Sequence, residues 1–271
     1  MQLNGIATRR HHLIFAVLCL LVLSGSVFAG AAARVLKVGA TPVPHAEILN
    51  VVKPILAKEG IDLQIIEFTD YVRPNLALSD RELDANFFQH IPYLETFSSE
   101  RRLNLTWVAK VHVEPMGVYS RKVKDLKSLK NGALIGIPND PTNGGRALLL
   151  IEKAGLITLK PNAGLAATVF DIADNPKKLR FQELEAAQLP RALPDLDAAV
   201  INTNFALEAK LDPLKDAIII EGSDSPYANV LAVRNADKNN ADIAKLAKAL
   251  QSSTVRDFIR TQYKGAVVPA F

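Results

Sequence analysis

At 271 residues, with 49% hydrophobic and 22% charged residues, the chain is long enough for two lobes and has the composition of a globular protein rather than a disordered or fibrous one. Its formal charge of +4 falls to +2 once residues 1–29, which hold Arg9 and Arg10 and no acid, are set aside. No basic block or basic-aromatic alternation is present, so nucleic acid is a poor partner.

The N-terminus carries the clearest local pattern. Arg9, Arg10, His11 and His12 precede an unbroken apolar run over residues 13–23. That run has the length of a secretory core and is too short to span a bilayer. Val27-Phe28-Ala29 then places small residues at the −3 and −1 positions before Gly30, so residues 1–29 are expected to be a signal peptide. The single cysteine, Cys19, lies inside that core. Structural disulfides, Cys-based metal sites and Cys nucleophiles are thereby excluded from the mature chain.

From residue 30 onward, apolar patterning predicts strands at 35–40, 63–68, 85–88, 108–113 and 116–120, with helices at 44–58, 72–78 and 93–101 between them. Gly60 ends the first helix, and Pro54 bends it. Strands at 134–137, 169–171, 179–183, 198–201 and 217–220 follow, with a helix at 145–154. Helices at 241–250 and 254–262 close the chain. The alternation argues for α/β lobes on parallel sheets covered on both faces, with a ligand cleft between them.

Residues 137–146 read I-P-N-D-P-T-N-G-G-R. A strand ends and a helix starts at Thr142 or Asn143, either of which can cap it. Gly144 and Gly145 leave first-turn N–H groups open, and Arg146 supplies a fork of donors matched to a carboxylate. The segment is suited to an anion without naming one. Aromatic and amide residues gather at other strand ends: Tyr71, Phe88, His90 and Tyr93, then Asn202 and Asn204, then Asn229. A pocket of aromatic faces, one arginine and several amides suits an amino acid with an apolar side chain. Taken singly, each aromatic is as well explained by core packing and each asparagine by a turn.

Catalytic and metal chemistry is poorly supported. After the signal only His45, His90 and His112 remain, none in H-x-x-x-H spacing, and no nucleophile elbow or phosphate loop is present. The expectation is a binding protein, not an enzyme, with no cofactor and no metal.

Seven stretches carry a resemblance to a known family: VGATPVPHAEIL, FTDYVRPNLAL, DANFFQHIPYL, IPNDPTNGGRALLL, LEAAQLPRAL, AVINTNFA and SPYANVLAVR. In this order, over nearly all of the mature chain, they resemble the methionine-binding proteins of ABC importers, the NlpA (MetQ) lipoprotein family. The resemblance implies a two-lobed type II periplasmic-binding-protein fold. Residues 30–114 and 233–271 would make the first lobe and 115–232 the second, with crossings near 113–121 and 227–234. It also implies roles. Arg146 would hold the ligand carboxylate. Asn229, with Asn202 or Asn204, would bond its polar ends, and Tyr71, Phe88, His90 and Tyr93 would wall in a thioether side chain. The partners would be L-methionine, with D-methionine as an alternative, and the permease of a methionine importer. Two other readings use the same scaffold: a receptor for another small amino acid or a Met-containing dipeptide, and an interaction protein without transport.

One departure from the family concerns its anchor. Members carry an acylated cysteine after L-[A/S]-[G/A], whereas here Leu23-Ser24-Gly25 is followed by Ser26. The expectation is therefore a soluble periplasmic protein. Ser26→Cys should restore the acylation site, so that the unaltered chain fractionates with soluble periplasm and the variant with membranes. Lipid on the unaltered chain, or its retention uncleaved in the membrane, would overturn this.

Overall fold

Strand β1 (Arg34–Ala40) buries Leu36, Val38 and Ala40, every second side chain, as a strand against a core must. It opens a computed structural model that describes residues 33–271. The expected signal peptide, Cys19 and Ser26 lie outside the described residues.

An irregular turn over Pro42–Ala46 follows, with Val43 extended inside it, and α1 (Glu47–Ala57) begins only after it. The helix thus starts later than the predicted 44, because Pro42 and Pro44 fix the local φ and lack an N–H. Ile48, Leu49, Val52 and Leu56 of α1 are fully buried, each worth roughly 1.5–3 kcal/mol of apolar burial. Next come β2 (Ile61–Glu67), α2 (Arg73–Ser79), β3 (Ala85–His90), α3 (Ile91–Arg101) and β4 (Leu105–Val113). All six residues of β3 are buried.

The chain then leaves this sheet and builds a second one. Its elements are β5 (Gly117–Tyr119), β6 (Leu134–Pro138), α4 (Pro141–Lys153), the β7 (Thr158–Leu159) and β8 (Ile172–Asp174) pair, β9 (Arg180–Leu184), α5 (Leu189–Ala192), β10 (Ala198–Ile201), α6 (Thr203–Glu208), α7 (Pro213–Asp216) and β11 (Ile219–Ile220). Residues 169–171 form a tight turn rather than the expected strand. The Asp171 carboxylate accepts bonds from the Thr168 N–H and hydroxyl, which closes the backbone on itself. The chain returns through β12 (Ala228–Arg234), and α8 (Ala241–Leu250), α9 (Ser253–Tyr263) and β13 (Val268–Pro269) complete the first sheet's surroundings.

The first sheet has the order β13-β4-β12-β3-β1-β2 and the second β11-β5-β10-β6-β9. Each has its own apolar core, so the fold is two-lobed α/β. The sheets are mixed rather than parallel. β1 runs parallel to β2 and β3, and β6 to β9 and β10, but β12 is antiparallel to both β3 and β4, and β5 to β10 and β11. The cause is the return of the chain: β12 re-enters the first sheet against the direction of β3. Between the sheets run two short crossings without regular structure, residues 114–116 and 221–227.

Helix α4 also starts differently from the sequence expectation. Asp140 is its cap, accepting from the Asn143 N–H at 2.9 Å, and Pro141 opens the first turn. Pro is favoured there because its missing N–H would have been unpaired in any case. The Gly144 N–H is already bonded to Asp140 O at 2.8 Å, so it is not open to an anion. The glycines serve packing instead: a β-carbon on Gly145 would lie 2.2 Å from the backbone oxygen of Leu165. Gly145→Ala should accordingly destabilise the fold by about 1–3 kcal/mol. Gly222→Ala, where a β-carbon meets nothing within 4 Å, should be nearly neutral. Urea unfolding of both variants checks the contrast.

Candidate functional site

The carboxyl ends of the strands and the two crossings face one another across a pocket, the concave setting usual for a small-molecule site. Its lining includes all eight residues expected from sequence: Tyr71, Phe88, His90, Tyr93, Arg146, Asn202, Asn204 and Asn229. Gln89, Glu114, Asn143 and Thr203 complete it. The sequence pointed to Asn143 only as a helix cap and gave Gln89, Glu114 and Thr203 no role.

One wall is aromatic. Phe88 and Tyr93 sit 6.1 Å apart edge-to-face, and Tyr71 lies 6.0 Å from Phe88 and 5.8 Å from Tyr93. The Tyr93 hydroxyl donates to Tyr71 O at 2.9 Å and locks the pair. β3 supplies Phe88 and His90, and the His90 side chain caps α3 by accepting from the Tyr93 N–H. Behind this wall Asn75, Asn86 and Gln89 close an amide network, with Gln89 Nε2 donating to Asn75 Oδ1 at 2.7 Å. Satisfied buried amides of this kind fix a strand end rigidly.

The opposite wall is a chain of oriented amides. The Asp140 carboxylate accepts from Asn143 Nδ2, which turns Asn143 Oδ1 into the site. There it accepts from His90 Nε2 at 3.1 Å and Asn202 Nδ2 at 2.9 Å. Asn202 stands at the N-cap position of α6 but its side chain makes no cap bond. Its Oδ1 is buried and has no partner. Asn204 is held the other way round: Tyr71 donates to its Oδ1 at 2.6 Å, and its Nδ2 is the atom left buried and unpaired. One unfilled acceptor and one unfilled donor therefore face the same cavity.

Arg146 is 3% exposed, and its charge is already partnered. Nε donates to Glu221 at 2.9 Å, Nη2 donates to Glu114 O at 2.7 Å, and the guanidinium stacks over Tyr227 at 4.1 Å. The sequence suggested a first-turn arginine open to an anion. Here it is also a tie between α4 and both crossings.

Glu114 lines the pocket, and His45 and His112 back it from behind. The Glu114 carboxylate accepts from His112 Nε2 at 2.7 Å, lies 3.3 Å from His45 Nε2, and accepts from the Asn204 N–H at 3.1 Å. His45 Nδ1 takes the Thr41 hydroxyl at 2.7 Å, and its Nε2 reaches Asn229 Oδ1 at 3.1 Å. Their possible ligand atoms fall within 4.8 Å of one another, a grouping that could suit a metal. The 2.7 Å Glu114–His112 contact is tighter than the roughly 3.3 Å between two donors of a tetrahedral ion. The geometry is that of N–H donors shared by one carboxylate. No spacing in the sequence announced this cluster, because His45 is brought to it from a different strand end.

Burial sets the charge states. It pushes His45 down to about 4, with Glu114 opposing and His112 adding to the shift, and pushes His112 down to about 3. His90 falls to about 3 through burial and then the nearby Arg146 charge. These histidines are neutral when folded but take up protons below their ordinary 6.5 when unfolded. Their contribution is present above pH 6.5 and lost as the pH falls toward 4. Each histidine contributes roughly 1.4 kcal/mol per pH unit inside that window. Burial raises the Glu114 carboxyl, which offsets part of this slope. The melting temperature should therefore drop steadily from pH 7 to pH 5. A flat or rising profile would contradict the neutral assignment.

The NlpA lipoprotein family matches residues 36–271. The D-methionine-binding lipoprotein MetQ of Salmonella typhimurium is 44% identical over 237 residues, 86% of this chain and 87% of that protein. A nutrient-binding protein from Burkholderia cenocepacia, solved bound to methionine, is 51% identical with a TM-score of 0.85, over 87% of this chain and all of that one. An ABC-transporter periplasmic substrate-binding protein from Coxiella burnetii is 46% identical with a TM-score of 0.83, over 87% of this chain and all of that one. No helix among the described residues is long and apolar enough to cross a membrane. Sequence motifs, two-lobed fold and matched length agree, and the chain belongs to the NlpA lipoprotein family.

Proposed function

We propose that this protein captures methionine in the periplasm and delivers it to the permease of an ABC importer, with no bond made or broken. The observation that carries this reading is the pair of unfilled groups, Asn202 Oδ1 and Asn204 Nδ2, facing one cavity beside a buried guanidinium. A zwitterionic amino acid fills both, its ammonium donating to one and its carboxylate accepting from the other. Arg146 Nη1, the guanidinium nitrogen not engaged by Glu221 or Glu114, meets the carboxylate, and Asn229 adds a bond beside it. The Tyr71, Phe88 and Tyr93 rings and His90 enclose the thioether, where sulfur–aromatic contacts add about 0.3–1.5 kcal/mol.

The relatives named for D-methionine binding and the methionine-bound neighbour support methionine over other apolar amino acids. We place the lobe boundaries at the two crossings. The second then falls at the start of β12 rather than at 232, since Ala228–Ala232 pair with β3 and β4. Loss of the acceptor cysteine at position 26 makes the mature protein soluble.

L-methionine should raise the melting temperature of the mature protein more than leucine or glutamine does, and D-methionine belongs in the same screen. Arg146→Ala should weaken methionine binding by about 30-fold to several-thousand-fold, the cost of leaving one member of a buried charge pair alone. It should also lower the melting temperature, because Glu221 loses its partner. Arg121→Ala, at an exposed position, should change neither. Calorimetric titration decides: equal shifts for all apolar amino acids, or wild-type affinity in Arg146→Ala, would defeat the assignment.

A further inference from the structure

Burying an amino acid means burying an ammonium, and hydrogen bonds to neutral amides satisfy its geometry without balancing its charge. Among the described residues that line the pocket, only two carry a formal charge, Arg146 and Glu114. Arg146 is already paired with Glu221. Glu114 has no cationic partner for its carboxylate: its bonds come from His112, His45 and a backbone N–H. Both histidines are fully buried, and both serve here as neutral N–H donors.

An anion held in this way is costly. A glutamine would keep the same shape and avoid the burial of a charge. His112 is oriented toward Glu114 at the further cost of leaving its own Nδ1 buried without a partner. His45 reaches both Glu114 and Asn229, so it couples the carboxylate to the amide opposite. The Asn204 backbone N–H bonds Glu114 while its side chain points an unfilled Nδ2 into the pocket. The three asparagines and the carboxylate thus line one cavity, linked through His45 and the Asn204 backbone.

From this convergence, and resting on the amino-acid-binding reading above, we propose that Glu114 is the counter-charge for the ligand's α-ammonium. His45 and His112 position it. The pocket then discriminates by charge at the α-carbon: it selects α-amino acids and rejects the corresponding 2-hydroxy acids, whose hydroxyl brings no positive charge. The ligand's own charges complete the arrangement, ammonium to Glu114 and carboxylate to Arg146. Burial raises the Glu114 carboxyl, and an ammonium arriving beside it favours the ionised form.

The test compares methionine with its 2-hydroxy analogue, 2-hydroxy-4-(methylthio)butanoate, by calorimetric titration of wild type and Glu114→Gln. Wild type should prefer methionine by at least about 30-fold, the lower end for a buried charge pair. In Glu114→Gln the methionine affinity should fall by about that factor while the affinity for the hydroxy analogue changes little, so the preference collapses. Equal losses for both ligands would make Glu114 a structural residue and overturn the proposal, as would a variant that keeps the wild-type preference. Should the variant not fold, the wild-type comparison still decides, since equal affinity for the two ligands overturns the proposal by itself. A wild type that binds no amino acid at all would defeat the functional reading instead, which separates the two failures.

Discussion

The Arg146 guanidinium is the interaction on which the arrangement of the site depends. It sits in the second turn of α4, buried, and bonds Glu221 from one crossing and the backbone of Glu114 from the other. Glu221 in turn accepts the Met116 N–H at 2.8 Å, so a single carboxylate joins the end of one crossing to the start of the other. Two segments without regular hydrogen-bond ladders are thereby fixed by one planar fork, whose several donors act in set directions. Lysine, a point charge on a flexible stem, could not hold both crossings and still present a donor edge to the cavity.

This tie explains why the site is polar at one end and aromatic at the other. Glu114 in the first crossing and Asn229 at the start of β12 stand beside α4 and the start of α6, which carry Asn143, Asn202 and Asn204. The aromatic wall comes from the other direction, from β3, α3 and the loop before α2. His90 joins the halves: its Nδ1 accepts from the Tyr93 N–H and its Nε2 donates to Asn143. That pattern requires the neutral tautomer protonated on Nε2, which burial enforces.

Much of this was legible in the sequence, for identifiable reasons. Strands such as β1 and β10 and the amphipathic helices α8 and α9 were found almost to the residue, because local periodicity fixes them. The helix starts were less legible. Asp140 outcompetes Thr142 and Asn143 as a cap because its carboxylate can take both the Asn143 N–H and its amide, a choice that only three-dimensional packing decides. The span of β12 was read as a crossing near 227–234, but its antiparallel direction was missed, since strand direction depends on where a chain of more than a hundred residues returns. The eight expected pocket residues came from motif stretches, and they do line one cavity. Asn143 lay inside a quoted motif and Glu114 between two of them, but nothing local distinguished them from a helix cap and a turn residue before proline. His45 and His112 were read only for metal spacing, and their work as N–H donors to a carboxylate leaves no sequence period.

Polar contacts cross the cleft, Tyr71 to Asn204 and His90 to Asn143, with the Thr203 hydroxyl bonding Pro115 O of the crossing, and the Tyr71 ring also packs on Phe205. Each such hydrogen bond contributes on the order of 1 kcal/mol net. Their sum sets only a modest bias toward the closed arrangement. A ligand that touches both walls contributes its interactions only when the walls meet, and a ligand shifts an equilibrium by no more than its differential affinity for the two states. Asn202 Oδ1 and Asn204 Nδ2 belong to one wall, the aromatic rings to the other. An empty closed cleft leaves two buried amide atoms unpaired, at roughly 1–3 kcal/mol each. That penalty opposes closure without ligand and disappears with it, so the same two atoms that recognise the ligand also make closure depend on its presence.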